Sequence, residues 1–256
     1  MSDDIFTNYH SGLSGINLPI PKYNFPPEFQ NSSRLTYYAT IFNSIEVNSS
    51  FYAIPQKKTL ERWAGSVGRD FEFTFKVFKE VTHVKELNFD AIKLLQFMTV
   101  LNAQLNKGCL LLQFPPGLTS NNLSQLEVIL QIIERENIDH AWRIAVEFRN
   151  KGWYNEEVYA LLEFYGASLV KHDIPASATP SIDRWSDLLY LRFHGPTGNY
   201  RGSYTDDFLY EQATSVRNWL IEGKTAYVYF NNTAGDAFNN LATFNNTILD
   251  SRPINL

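Results

Sequence analysis

The chain has 256 residues, of which 44% are hydrophobic and 19% charged, and its formal net charge is −5. This balance gives no bulk positive field that would attract nucleic acid or an anionic membrane. A single cysteine, Cys109, excludes an intramolecular disulfide and a zinc site built from several cysteines. We see neither a basic-then-apolar leader nor an apolar run of about 20 residues, so we expect a cytoplasmic protein that does not span a membrane.

Strand-forming and helix-forming segments alternate along the chain. Segments typical of strands lie at residues 44–48, 71–78, 110–114, 144–148, 168–170, 188–193 and 225–230, and the Gly/Ser-rich residues 8–16 supply a further predicted strand. Amphipathic stripes with helical spacing lie near residues 33–39, 57–66, 94–105, 123–133, 155–165, 205–220 and 237–248. We predict that Ser33, Asn155 and Thr205 cap helices and that Gly108 ends the third helix. The proline-containing segment between the sixth and seventh strands shows no helical pattern.

This alternation predicts a parallel sheet with helices packed on it. Up to eight strand–helix units in about 250 residues match the closed (β/α)₈ TIM barrel, and no composition break divides residues 1–256 into two domains. The main competitor is an open, doubly wound sheet. The glycine patterns of phosphate loops and dinucleotide-binding folds are both absent.

The strand at 144–148 shows how the polar residues are placed. Residues two apart share a face of a strand, so Glu147 and Arg149 point one way while Val146 and Phe148 point the other. In barrels, sites are built at the carboxyl ends of several strands. The strand ends supply Glu46, Asn48, Lys76, Gln113, Glu147, Arg149, His172, Asp173, Arg192, His194 and Asn231, with Asn232 as a further candidate.

Several blocks of this sequence resemble the YecE-like family, domain of unknown function seventy-two. The blocks are Phe42–Tyr52, Phe75-Lys76 with Thr82-His83, Gln113–Pro116, Val146–Arg149 with Trp153, Arg192–Gly195 and Tyr229–Asn232. The resemblance implies a TIM barrel, and it implies no mechanism because the family has no established activity. Members tend to open with a Gly-Thr-Ser-Gly-Trp-like strand, whereas this chain has Ser11–Ile16 without the tryptophan.

We interpret the barrel mouth as the site of an enzyme that acts on a small anionic substrate, a phosphorylated or acidic sugar, by general acid–base catalysis. Arg149, Arg192 and Lys76 would hold the anion, because a guanidinium fork matches phosphate and carboxylate. The other candidates are proton carriers (Glu147, Glu46 and His194), orienting groups (Asn48, Gln113 and Asn231) and a further binding pair (His172 and Asp173). Hydrolase, isomerase and lyase chemistry all stay open.

Two other interpretations fit the same residues. In one, Glu46, Lys76, Glu147 and Arg149 form a buried salt-bridge network that only closes the barrel, because buried charges must be paired. In the other, the barrel is non-catalytic and holds an anionic metabolite or a nucleic-acid end. The sequence does not predict the oligomeric state.

We predict no cofactor. A divalent metal is a weaker alternative, since no close His-x-His or His-Glu-x-x-His spacing is present; its ligands would be Glu46, Glu147, Asp173 and His194. His10 and His140 are predicted to lie on the surface. Aromatic residues near the strand ends suit either stacking on a sugar or anchoring of loops; they are Phe51, Tyr52, Phe114, Trp153, Tyr200, Tyr204 and Phe230.

Overall fold

The computed structural model describes residues 5–181 and 187–249. The strands are β1 (Tyr9–Leu13), β2 (Ser44–Val47), β3 (Glu72–Lys76), β4 (Lys107–Phe114), β5 (Arg143–Phe148), β6 (Ala167–Leu169), β7 (Lys171–His172), β8 (Leu188–Phe193) and β9 (Thr225–Phe230). The α-helices are α1 (Arg34–Tyr38), α2 (Lys57–Ala64), α3 (Lys79–Thr82), α4 (Ala91–Leu101), α5 (Leu123–Glu136), α6 (Glu156–Phe164), α7 (Asp206–Ile221) and α8 (Ala237–Leu249). None of these helices is long and apolar enough to cross a bilayer.

All of the described strand pairs are parallel, and the strands follow one another in the order expected for an eight-stranded barrel. Hydrogen bonds join β2-β3-β4-β5-β6 in one sheet and β1-β9-β8-β7 in the other. Only Val170 separates β6 from β7, and its N–H donates to the Val146 carbonyl at 2.8 Å. The two short strands therefore occupy one of the eight strand positions of the barrel together, with β6 beside β5 and β7 beside β8.

The two sheets also meet at their other edges, where β1 lies beside β2. A parallel bridge joins Ser14 to Glu46. The Tyr38 hydroxyl accepts from Leu13 N at 2.7 Å and donates to the Ser44 carbonyl at 2.9 Å. Gly12 permits this approach, because a Cβ there would lie 2.0 Å from the Ser44 carbonyl oxygen. The predicted (β/α)₈ fold class is thus confirmed.

Side chains alternate between the barrel interior and the helix layer, as the spacing of β5 predicts. Ala145 belongs to an interior cluster that includes Leu111 and Tyr190, whereas Val146 and Phe148 belong to the outer core. The Phe148 ring stacks on Trp153 with 4.6 Å between centroids. Glu147, on the same face as Ala145, therefore points inward.

The predicted helix caps are confirmed. Ser33 accepts from Thr36 N at 3.0 Å, Asn155 from Val158 N at 3.1 Å and Thr205 from Phe208 N at 3.3 Å; each cap satisfies an N–H of the first turn. Residues 173–181 contain no helix, also as predicted.

The prediction that Gly108 ends α4 is wrong. The helix stops at Leu101, Leu105 is 84% exposed, and Gly108 lies inside β4. The glycine is needed for a tertiary contact instead, because a Cβ at position 108 would lie 3.1 Å from the Phe73 carbonyl oxygen and 3.2 Å from Thr74 Oγ1. Glycine here allows β3 and β4 to approach where their register shifts.

The prediction that His10 lies on the surface is also wrong. The strand β1 is covered on both sides, so all of its residues are buried. The His10 ring stacks on Tyr227 at 4.5 Å inside the amino-terminal end of the barrel. There, the Tyr227 hydroxyl donates to Glu72 and accepts from Arg143 Nη1 at 2.9 Å. His140 is exposed, as predicted.

We expect His10→Phe to make the protein less sensitive to acid. Burial, helped by Arg143, lowers the pKa of His10 to about 4, whereas an unfolded histidine titrates near 6.5. Between these values the unfolded state binds the proton first, so stability falls as pH falls. Phenylalanine keeps the ring on Tyr227 but cannot titrate. In urea unfolding, the loss between pH 7 and pH 5 should shrink by about 1–2 kcal/mol; an unchanged loss would contradict the assignment.

Candidate functional site

Arg192 is the centre of the polar network at the barrel mouth. It points inward from β8, and it is 2% exposed. Its Nη2 lies 2.7 Å from Glu46 Oε1 and its Nη1 lies 2.5 Å from Glu147 Oε2. One guanidinium from the four-stranded sheet therefore joins two carboxylates of the five-stranded sheet, and both carboxylates are fully buried.

Glu46 is held by neutral donors as well. Ser14 Oγ donates to Oε1 at 2.7 Å, and the Tyr190 hydroxyl donates to Oε2 at 2.7 Å. Sequence reasoning missed both donors. Tyr190 carries a usable signal, because it lies two residues before Arg192 and so shares its inward face.

Arg149 extends the network toward solvent. Its Nε donates to Glu147 Oε1, its Nη2 lies 3.0 Å from His194 Nε2, and its Nη1 donates to the Tyr200 hydroxyl at 3.3 Å. Burial raises the pKa of Glu147, but the two guanidinium groups of Arg192 and Arg149 outweigh it and hold that pKa well below its usual range. Glu147 is therefore an ionised anchor for both arginines.

His194 is neutral in this network. Arginine has only donors, so Nε2 accepts from Arg149 and the proton lies on Nδ1. The His194 Nδ1 atom is 3.2 Å from Asp173 Oδ1, and the other Asp173 oxygen accepts from the Tyr204 hydroxyl. Burial lowers the pKa of His194 to about 4 even though Asp173 opposes the shift. His194 has no exposed side-chain surface, so it acts on Arg149 rather than on solvent.

Lys76 differs from the arginines because no described carboxylate lies within ion-pair distance of it. Its Nζ donates to Gln113 Oε1 at 2.7 Å and lies 4.1 Å from the centre of the Phe51 ring. Burial, followed by repulsion from Arg192, lowers the pKa of Lys76 to about 8. A substantial fraction of this amine is therefore neutral in mildly alkaline solution.

The cations converge on a cavity of about 220 Å³ that opens at the mouth. It is lined by Asn48, Phe51, Tyr52, Lys76, Arg149, Arg192, Tyr200 and Asn231. Glu46 and Glu147 lie behind the arginines and do not line it. The wall of this cavity therefore combines positive charge, amide groups and aromatic rings, without a described acidic side chain.

Not all of the predicted residues reach this cavity. Gln113 does not line the cavity, and its Oε1 accepts from Lys76 Nζ. His172 is tied to the backbone, with Nε2 3.0 Å from the Phe148 carbonyl and Nδ1 accepting from Ile174 N at 3.3 Å. Asn232 donates to the Gly202 carbonyl and to Asn240, which fixes the loop that follows β9.

The described residues offer no evident metal site. Within residues 5–181 and 187–249, no group of three or more His, Cys, Asp or Glu side chains could hold a metal ion.

A larger cavity of about 440 Å³ lies at the opposite end of the barrel, around Arg143, Leu188 and Thr225, where strands β5, β8 and β9 begin. It includes none of the predicted site residues.

The protein is thus a parallel (β/α)₈ barrel whose carboxyl-terminal mouth holds a buried ion-pair network beneath a cation-lined cavity. Residues 12–253 match the family described as "Protein of unknown function DUF72", and the chain belongs to this family. The YecE-like family is the same family, so the resemblance seen in the sequence is confirmed.

The relatives agree with this assignment. The chain is 26% identical over 250 residues to the UPF0759 protein YunF of Bacillus subtilis (strain 168), covering 84% of this chain and 86% of that protein. A solved DUF72 family protein (EF0366) of Enterococcus faecalis V583 has a TM-score of 0.77 at 21% identity, over 96% of this chain and 97% of that one. A second (TM1631), from Thermotoga maritima MSB8, has a TM-score of 0.67 at 23% identity, over 94% and 98%. These structures share the fold.

Proposed function

We propose that the protein is an enzyme that acts on a small anionic substrate, a phosphorylated or acidic sugar, at the carboxyl-terminal mouth of the barrel. The observation that carries this proposal is the convergence of Lys76, Arg149 and Arg192 on one small cavity. Buried guanidinium groups held rigidly by carboxylates present their remaining donors in a fixed geometry. Such a site matches phosphate or carboxylate oxygens.

Lys76 is the best-placed proton carrier of this proposed enzyme. It lines the cavity, and its pKa of about 8 suits proton transfer near neutral pH. The neutral amine accepts a proton from a substrate group, and the ammonium form returns it. Glu147, Glu46 and His194, the proton carriers suggested by the sequence, face the arginines instead, so we assign them the positioning of Arg192 and Arg149.

A second candidate function is non-catalytic binding of an anionic metabolite. It is favoured by the burial of Glu46, Glu147 and His194, which leaves few ionisable groups in contact with a ligand. Both candidates place the anion in the same cavity, and they differ in whether the ligand changes chemically.

Incubation with a panel of sugar phosphates and sugar acids separates these candidates. Phosphorus and proton NMR would show conversion of at least one probe, and Lys76→Gln should slow that conversion by about 100-fold or more. Lys79→Gln is the matched control, because Lys79 is exposed near the same mouth and does not line the cavity. Probes that bind and are recovered unchanged would favour the non-catalytic candidate, and probes that fail to bind would reject both.

We also expect anion affinity to depend on pH through Lys76. Sulfate is a suitable probe because it keeps its charge across the neutral and alkaline range. If only the ammonium form contributes to binding, the affinity for sulfate is constant below pH 8 and falls above it, because the pKa of Lys76 in the protein without ligand is about 8. Between pH 7 and pH 9 the Kd measured by calorimetry should rise about tenfold. This rise in Kd should disappear in Lys76→Gln. If the rise persists in that variant, a group other than Lys76 causes it.

A further inference from the structure

A second, apolar cavity adjoins the cationic one. This groove has a volume of about 260 Å³ and lies on the outer side of β2 and β3, beneath α1 and α2. Its apolar walls come from Ile16, Leu35, Ile45, Val47, Trp63 and Phe73. No charged side chain lines it, so it suits a hydrocarbon or aromatic group rather than a second anion.

The groove and the cationic cavity meet at Asn48. This residue follows β2 and lines both spaces. In the turn that it begins, Ser49 faces the groove while Phe51 and Tyr52 face the cationic cavity. Asn48 is thus shared by the linings of the two cavities at the rim of the barrel.

Asn48 itself has unused hydrogen-bonding capacity. Its Oδ1 is enclosed and has no hydrogen-bond partner among the described residues. An enclosed amide oxygen without a partner costs free energy until a donor reaches it. A ligand that occupies both cavities contacts Asn48 and can supply that donor from a hydroxyl or amide group.

We propose that the ligand of this protein is amphipathic: an anionic head in the cationic cavity, a hydrogen-bond donor beside Asn48, and an apolar arm in the groove. This inference rests on the proposed function, since it uses the same anion site and narrows the substrate class. A small phosphorylated or acidic sugar without an apolar substituent would leave the groove unused.

The inference is tested with methyl phosphate and hexyl phosphate, which share a head group and differ in the arm. Calorimetric titration of the full chain should give a Kd for hexyl phosphate at least about tenfold lower, as burial of roughly two methylene groups already provides this gain. Ile16→Trp fills the groove and should remove the gain without changing the Kd for methyl phosphate. Ile41→Trp is the matched control, because Ile41 is equally exposed (37% against 38%) and does not line the groove.

Each outcome decides between the claims. Equal Kd values for the two probes would overturn the amphipathic ligand and leave the anion site intact. A gain that survives Ile16→Trp would place the arm elsewhere and also overturn the inference. Failure of both probes to bind would reject the anion site. If Ile16→Trp does not fold, Ile16→Phe provides a smaller obstruction and should reduce the gain in part.

Discussion

Replacing Arg192 with methionine should lower the free energy of unfolding by about 3–5 kcal/mol at pH 7. Its guanidinium neutralises both Glu46 and Glu147, and each carboxylate has no exposed surface. Methionine fills much of the volume but leaves the two carboxylates without their shared cation. Arg149 still pairs with Glu147, so Glu46 bears most of the cost.

A second substitution identifies the cause of that loss. Adding Glu46→Gln should recover part of the loss at pH 7. A urea-denaturation loss below about 1 kcal/mol would show that the ion pairs contribute little.

Replacing Arg149 with glutamine should weaken binding of methyl phosphate by about 10- to 100-fold, because a charge-assisted hydrogen bond contributes about 1.5–3 kcal/mol. Arg149 lines the cationic cavity while Glu147 and His194 fix its orientation. Glu147 keeps Arg192 as a partner in this variant, so the fold should tolerate the change better than the loss of Arg192.

The control for this prediction is Arg201→Gln. Arg201 is exposed in the segment that follows β8, directly after the cavity-lining Tyr200, but Arg201 itself does not line the cavity. Arg201→Gln removes the same charge from the protein as Arg149→Gln and should change the Kd for methyl phosphate by less than about twofold, since exposed charges are screened by salt. Equal effects of the two substitutions would mean that binding reflects net charge rather than a built site.

The fold was predictable from the sequence because its signals are local. Alternation within β5 placed Glu147 inward, and the residues that cap helices, such as Asn155, marked where helices begin. The order of strands and helices then limited the architecture to few choices. The assignment of strand ends to one barrel mouth followed from the parallel arrangement alone.

The errors arose where tertiary contacts override local patterns. Gly108 follows a helical stripe, yet it is needed where β3 and β4 approach closely. His10 lies in a polar-looking segment, yet β1 is enclosed by its neighbours. Likewise, the pairing of Arg192 with both Glu46 and Glu147 depends on distances across the closed ring, which no sequence spacing encodes.

Binding of an anion among Lys76, Arg149 and Arg192 can be seen in a crystal structure of the protein with molybdate, because anomalous scattering locates this anion. We predict that molybdate occupies the mouth cavity within hydrogen-bond distance of Lys76 Nζ and a guanidinium nitrogen of Arg149. A structure with molybdate only at other surfaces and an empty mouth cavity would contradict it.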